Sequence, residues 1–330
     1  MLIFLFIIAV NILIYFFNSD IARGLNLFDN PDKFRKLHKT KVPLTGGIII
    51  ILNSCSALII TLIDQLYFDK LIIFKNNIDL IILLVSILTF FFIGFFDDKY
   101  SVSANKRFLF ILIILFPIIY FSESMMINKI YFSFTDYSLT LPNFISIFWT
   151  VLCFLLFINA VNMFDGINYQ VGLYSISLSL FFLINNYFEV FFTFILIGLI
   201  TFLFLNHKYK SFLGDSGSYL LAFIFGYFFI KMYNQSTTLK VDQIVLFMII
   251  PGIDLIRLFI TRIIKGQNPF TPDRNHLHHI ISAKFSLIKT NLIIQTLIIT
   301  PSILGFYFGF TYIFLLIQIT VYFYFVLFFK

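Results

Sequence analysis

The sequence predicts an all-α polytopic membrane protein of about eleven transmembrane helices, with its chemistry on cytoplasmic loops. Three observations predict this. The 330 residues are 60% hydrophobic and only 12% charged, about half the charge of a typical soluble domain. A mean hydropathy of +0.97 excludes a disordered chain and an ordinary cytosolic enzyme. The apolar residues fall in runs close to the ~20 that a spanning helix needs.

The runs are 1–17, 46–63, 78–96, 108–122, 143–158, 170–184, 188–205, 216–230, 243–262, 291–307 and 311–329. The first lacks a basic leader and a small-residue cleavage site, so it is expected to be an uncleaved span. Pro117 and Pro251 fall within spans, and Asp254 lies in the inner half of one. No inter-span segment exceeds about 30 residues, so residues 1–330 are expected to form a single integral-membrane domain. The 49 Phe accompany abundant Ile, Lys and Asn and only seven Ala, a bias of AT-rich coding rather than a stacking signal. Cys55 and Cys153 sit inside apolar runs and imply no disulfide framework. No nucleic-acid partner is expected.

Lys and Arg set the orientation. With the N-terminus outside and the C-terminus inside, 18 of the 23 Lys and Arg fall on inner loops. Lys70, Lys75, Lys129, Lys231 and Lys240 fall outside.

The inner loops also collect the polar motifs. The first carries Arg35-Lys36-Leu37-His38 and Pro43-Leu44-Thr45-Gly46-Gly47; basic residues there also suit anionic headgroups. The next run ends on Asp97-Asp98. Neighbouring carboxylates repel, a cation relieves the cost, and the helix dipole disfavours anions at a C-terminus. In Asn159–Asn168, the residues Asn162, Asp165 and Asn168 are spaced by three and share a face on one helical turn. They offer two amide oxygens and a carboxylate to a metal or a base edge; an N-cap at Asp165 is the competing reading. Gly214-Asp215-Ser216-Gly217-Ser218 precedes a span and makes an anion-accepting pocket at a helix start, in which Asp215 calls for a bridging metal. A plain cap by Asp215 or Ser216 is the competing reading. Arg274 beside His276-Leu277-His278-His279 suits phosphate or sugar hydroxyls better than zinc.

In this order and on one face, these motifs resemble the polyprenyl-phosphate N-acetylhexosamine-1-phosphate transferase family over roughly residues 29–280. Pro43–Gly47 and Asp273–His279 look closer to the O-antigen-initiating N-acetylglucosamine-1-phosphate branch than to the peptidoglycan branch, which uses UDP-N-acetylmuramoyl-pentapeptide. The resemblance implies a multispan bacterial inner-membrane enzyme. It would move a sugar-1-phosphate from a UDP-N-acetylhexosamine to undecaprenyl phosphate, releasing UMP, with Mg²⁺ (Mn²⁺ as an alternative) and as a homodimer. It implies that Asp97 and Asp98 handle the lipid phosphate, with Arg107 nine positions on. It assigns Asn162 and Asp215 to Mg²⁺, Asn168 to the base, and Arg274, His276, His278 and His279 to the diphosphate and sugar. Arg35, Lys36, His38 and Asp165 join the substrate-binding set. Where many members read D-G-x-D-G-L, this chain reads Asp165-Gly166-Ile167-Asn168-Tyr169-Gln170. One residue is inserted between Pro31 and Arg35, and the usual Pro-Ala pair before Phe212 is missing. The different-class alternative, a secondary transporter, would place polar groups and broken helices at mid-membrane, whereas here the polar groups crowd one face.

Overall fold

The computed structural model describes residues 2–31, 40–67, 77–235, 239–269 and 273–329. All eleven expected runs are helices, most of them longer at one or both ends than the apolar run. In chain order they are α1 (Leu2–Leu25), α2 (Gly46–Tyr67), α3 (Asn77–Tyr100), α4 (Ala104–Phe121), α5 (Asn143–Phe164) and α6 (Gln170–Ile184). Then follow α7 (Glu189–His207), α8 (Gly214–Gln235), α9 (Val241–Ile264), the short α10 (Leu277–Ser282), α11 (Leu287–Phe308) and α12 (Thr311–Phe328). Among the described residues nine helices are long and apolar enough to cross a membrane. The two expected spans outside that set are α6, only 15 residues long, and α8, which carries Asp215, Ser216, Ser218 and Lys231. Sheet among the described residues is confined to two hairpins. β1 (Phe28–Asp29) pairs with β2 (Val42–Pro43), and β3 (Lys129–Tyr131) with β4 (Ser138–Thr140), both antiparallel. Large apolar side chains such as Phe6, Phe16, Phe144 and Leu327 are exposed, as lipid-facing positions are.

The chain divides into two compact units. The first comprises Met1–Ile111 and Val171–Ile224. There α2 packs along α7 and against α3, and α1 lies on both α2 and α7. With no hydrophobic drive between helices in lipid, close approach and buried polar pairs hold them. Gly198 of α7 meets the Asn53 amide of α2, where a Cβ would lie 2.7 Å from Nδ2. Asn53 and Asn11 of α1 exchange amide hydrogen bonds at 2.9 and 3.1 Å. Phe182 stacks on Phe192, and Phe90 on Phe223, each at 4.5 Å between centroids.

The second unit comprises Leu112–Gln170 and Phe225–Lys330. Its centre is α9, packed against α5, α11 and α12. Pro301 inside α11 cannot donate to the carbonyl of Leu297 four residues back. Buried Gln318 of α12 supplies that bond through Nε2 at 3.1 Å, and also donates to Ile298 O at 3.3 Å and Leu246 O of α9 at 3.0 Å. The Lys240 backbone N–H at the start of α9 is satisfied by the Gln243 side chain at 2.8 Å.

Candidate active site

In the first unit the site is built where α3 ends and α8 begins. α3 does not stop at Asp97-Asp98 but continues to Tyr100, so the two carboxylates, about 100° apart on the helix, face different partners. Asp98 turns to the start of α8. Its Oδ1 accepts the N–H of Asp215 at 2.7 Å. Its Oδ2 accepts the N–H and hydroxyl of Ser216 at 3.0 and 2.6 Å. The anion-accepting helix start read from the sequence is therefore real, and the anion it accepts is the chain's own Asp98. An acid that is awkward at the C-terminus of α3 is favourable at the N-terminus of α8.

Asp97 turns the other way. Its Oδ1 accepts the N–H of Val102 at 2.8 Å, and its Oδ2 pairs with the Arg107 guanidinium. The same Arg107 Nη1 lies 3.3 Å from Asp215 Oδ2. Arg107 thus bridges two carboxylates whose charges act on one another. The Asp97 side chain is 3% exposed, that of Asp215 31%.

Glycine makes this closeness attainable. At Gly94 a Cβ would run into the Asp215 backbone, and at Gly47 into Ser216. The Pro43–Gly47 turn is pinned to the same loop. Phe212 donates to Pro43 O at 2.9 Å, while Gly46 and Gly47 donate to Phe212 O and Leu213 O at 3.1 Å each. Thr45 is the buried hub, hydrogen-bonded to Asn18 and, at 2.8 Å, to Ser211. Arg35, Lys36 and His38 lie outside the described residues.

A Mg²⁺ ion takes one or two carboxylates and completes its shell with water and substrate phosphate. Asp215 fits that demand, its side chain being 31% exposed. Asp97 and Asp98 fit poorly, since each oxygen already accepts a protein donor. Among the described residues no three His, Cys, Asp or Glu form a group that could hold a metal.

In the second unit, α5 ends at Phe164 and Asp165 is its C-cap, its N–H bonded to Asn162 O and Val161 O. Asn162, Asp165 and Asn168 therefore do not share one helical turn. The chain leaves the helix at Gly166 and turns, with Tyr169 at φ 72°. Asp165 is not an N-cap either. Asn162 and Asp165 are half-buried at this end of α5.

The histidine loop is anchored rather than free. Asp254 of α9 accepts from His276 Nδ1 at 2.9 Å, Arg257 Nη2 at 2.8 Å and the Tyr322 hydroxyl at 2.8 Å. Arg257 also donates to Asn275 O at 2.6 Å. Arg262 donates to Asp273 at 3.0 Å and to Pro269 O at 2.7 Å. Asp254, Arg257 and Tyr322 were not selected as site residues from sequence. An acid one turn before a basic residue within a span was the available signal. His276 and His278 stack at 5.2 Å, and His278 meets His279 at 4.3 Å. The buried His278 ring lies directly over Gly166, leaving no room for a Cβ, so the histidine loop and the end of α5 meet. Burial and the neighbouring imidazoles hold His278 well below the ordinary histidine range and lower His279 to about 4. Arg274 is exposed beside them.

The fold and these clusters define a class: an all-α polytopic membrane protein carrying a carboxylate–arginine cluster in one unit and a histidine loop in the other. Residues 80–233 match the family model for glycosyl transferase family 4. The chain is similar to proteins named undecaprenyl-phosphate alpha-N-acetylglucosaminyl 1-phosphate transferase. The one from Escherichia coli K12 is 27% identical over 282 residues, covering 82% of this chain and 72% of the relative. The one from Thermotoga maritima is 27% identical over 300 residues, covering 89% and 88%. These matches bear out the family resemblance carried by the motifs.

Proposed function

We propose that the chain transfers N-acetylglucosamine 1-phosphate, or another N-acetylhexosamine 1-phosphate, from its UDP-sugar to undecaprenyl phosphate. An oxygen of the lipid phosphate attacks the sugar-bearing β-phosphorus. The bond to the bridging oxygen breaks, and UMP leaves with the electron pair. The observation that carries this reading is the Asp97–Arg107–Asp215 cluster. Joining two phosphates requires cation charge to offset their repulsion and carboxylates to place it. The relatives' names supply the substrate class.

Asp215 is the proposed Mg²⁺ ligand; the ion, when bound, would neutralise diphosphate charge and ease UMP departure. Asp97, held by Arg107, orients the lipid phosphate and takes its proton. Asp98 acts by fixing the start of α8, and so the Asp215 backbone. In the second unit, Asn168 and the His279–Arg274 edge of the loop receive the nucleotide sugar. We place the enzyme in a bacterial inner membrane, N-terminus outside, feeding a cell-surface polysaccharide such as O-antigen, as a homodimer.

Purified protein given undecaprenyl phosphate and a panel of UDP-sugars tests this. UMP should appear with UDP-N-acetylglucosamine only when both lipid phosphate and Mg²⁺ are present. Absence of UMP with every sugar overturns the proposal.

A further inference from the structure

The turn that carries Asn168 is tied to a helix more than a hundred residues away. On α11, Asn291 and Gln295 are one turn apart and so share a face. Asn291 Nδ2 donates to the carbonyl of Asn168 at 3.0 Å, and Gln295 Nε2 to the carbonyl of Gln170 at 2.9 Å. Both carbonyls belong to the segment in which the chain leaves α5, turns through Tyr169 at positive φ, and enters α6. Carbonyls at such a turn need partners. Asn291 is 2% exposed and Gln170 fully buried.

Amides inside an apolar helix are costly unless they serve a purpose. Here Asn291 gives one N–H to Asn168 O and the other to Leu287 O of its own helix at 3.0 Å, and Gln295 donates to Gln170 O; Asn291 Oδ1, Gln295 Oε1 and both polar atoms of the Gln170 side chain are buried with no hydrogen-bond partner among the described residues. Two helical amides one turn apart thus close on the one segment that carries Asn168.

We propose that Asn291 and Gln295 are positioning residues for the nucleotide-sugar donor: they set the Asn168 turn in its receiving position without touching the substrate. The inference rests on the proposed reading that Asn168 contacts the base. Loss of the clamp weakens donor binding and spares the lipid acceptor.

The test uses full-length protein in lipid nanodiscs, with UDP-N-acetylglucosamine and undecaprenyl phosphate as probes. Asn291→Leu and Gln295→Leu should each raise KM for the UDP-sugar about three- to tenfold, with KM for the lipid phosphate unchanged. Combined with Asn168→Ala, either should add little further, because clamp and clamped residue act as one. Backbone hydrogen exchange over residues 165–170 should quicken in both variants. Asn291→Gln and Gln295→Asn keep a donor displaced by one methylene and should shift donor KM in the same sense while folding normally. Equal changes in both KM values, full additivity with Asn168→Ala, or failure of all four variants to fold overturns the inference. Quickened exchange in the variants together with a wild-type protein that turns over no UDP-sugar overturns the donor-positioning role along with the proposed function.

Discussion

The Asp98 carboxylate accepts the backbone N–H of Asp215 at 2.7 Å across 117 residues of sequence. One acidic residue therefore fixes the main chain of another whose side chain is left accessible. The two adjacent aspartates of α3 thus have separate duties, and this separation is measurable.

Asp98→Ala removes the acceptor for two backbone N–H groups and the Ser216 hydroxyl. A lost cap costs about 1–2 kcal/mol and each buried orphan about 1–3. The variant should melt clearly lower in detergent as well as lose turnover. An unchanged melting temperature would refute the capping role.

Asp215→Asn keeps the backbone N–H that Asp98 binds, so fold and melting temperature should persist. Its carboxylate charge is gone. Several kcal/mol of charge stabilisation at ~1.4 kcal/mol per tenfold amounts to about a thousandfold in rate. Turnover above about a tenth of wild type at limiting Mg²⁺ would remove Asp215 from the metal.

Gly94→Ala places a methyl against the Asp215 backbone. Overpacking of this kind costs about 1–3 kcal/mol and displaces its neighbour. Activity should fall far more than membrane insertion, read by UMP release against protein yield. Wild-type activity would show that the α3–α8 approach is looser than described.

The histidine loop should respond to acid. Burial, the leading cause, lowers His279 to about 4 from 6.5 in the unfolded chain and holds His278 well below the ordinary histidine range. Protons thus favour the unfolded chain. The stability is intact above about pH 6.5 and is lost as pH falls toward 4. Melting temperature followed from pH 7 to 4.5 should drop over that window. His279→Asn should flatten the drop, and an identical profile would contradict the assignment.

Cysteines placed at positions 101, 209 and 274, all exposed, should react with impermeant reagent only from the cytoplasmic side. Labelling from outside at any of them would invert the orientation drawn from Lys and Arg.

The helices were legible because the bilayer demands long apolar runs, and all eleven runs fold as such. Their ends were less so: the 78–96 run stops where charge begins, yet α3 carries Asp97 and Asp98 to Tyr100 because α8 and Arg107 receive them. The acidic pair, Arg107 and the Gly214–Ser218 loop were legible as a set. That Asp98 is a cap for α8 was not, since its partner lies in a distant element. Spacing by three misled at Asn162, Asp165 and Asn168, because spacing implies a face only while the helix lasts, and α5 ends at Phe164. His276 was read as a substrate ligand on an open loop; its bond to Asp254 depends on the fold bringing α9 beneath it. The roles of Asn291 and Gln295 had no sequence signal beyond amides in an apolar run.

Gln318 touches three carbonyls on two other helices. Viewed mechanically, it is a latch. Drawing α12 out of the bilayer would withdraw that donor from all three at once and leave Leu297 O, which Pro301 cannot serve, bare in a medium where an unsatisfied group costs several kcal/mol. Resistance to a pulling force should therefore concentrate at one point, and α9, α11 and α12 should leave the membrane together rather than peel away singly.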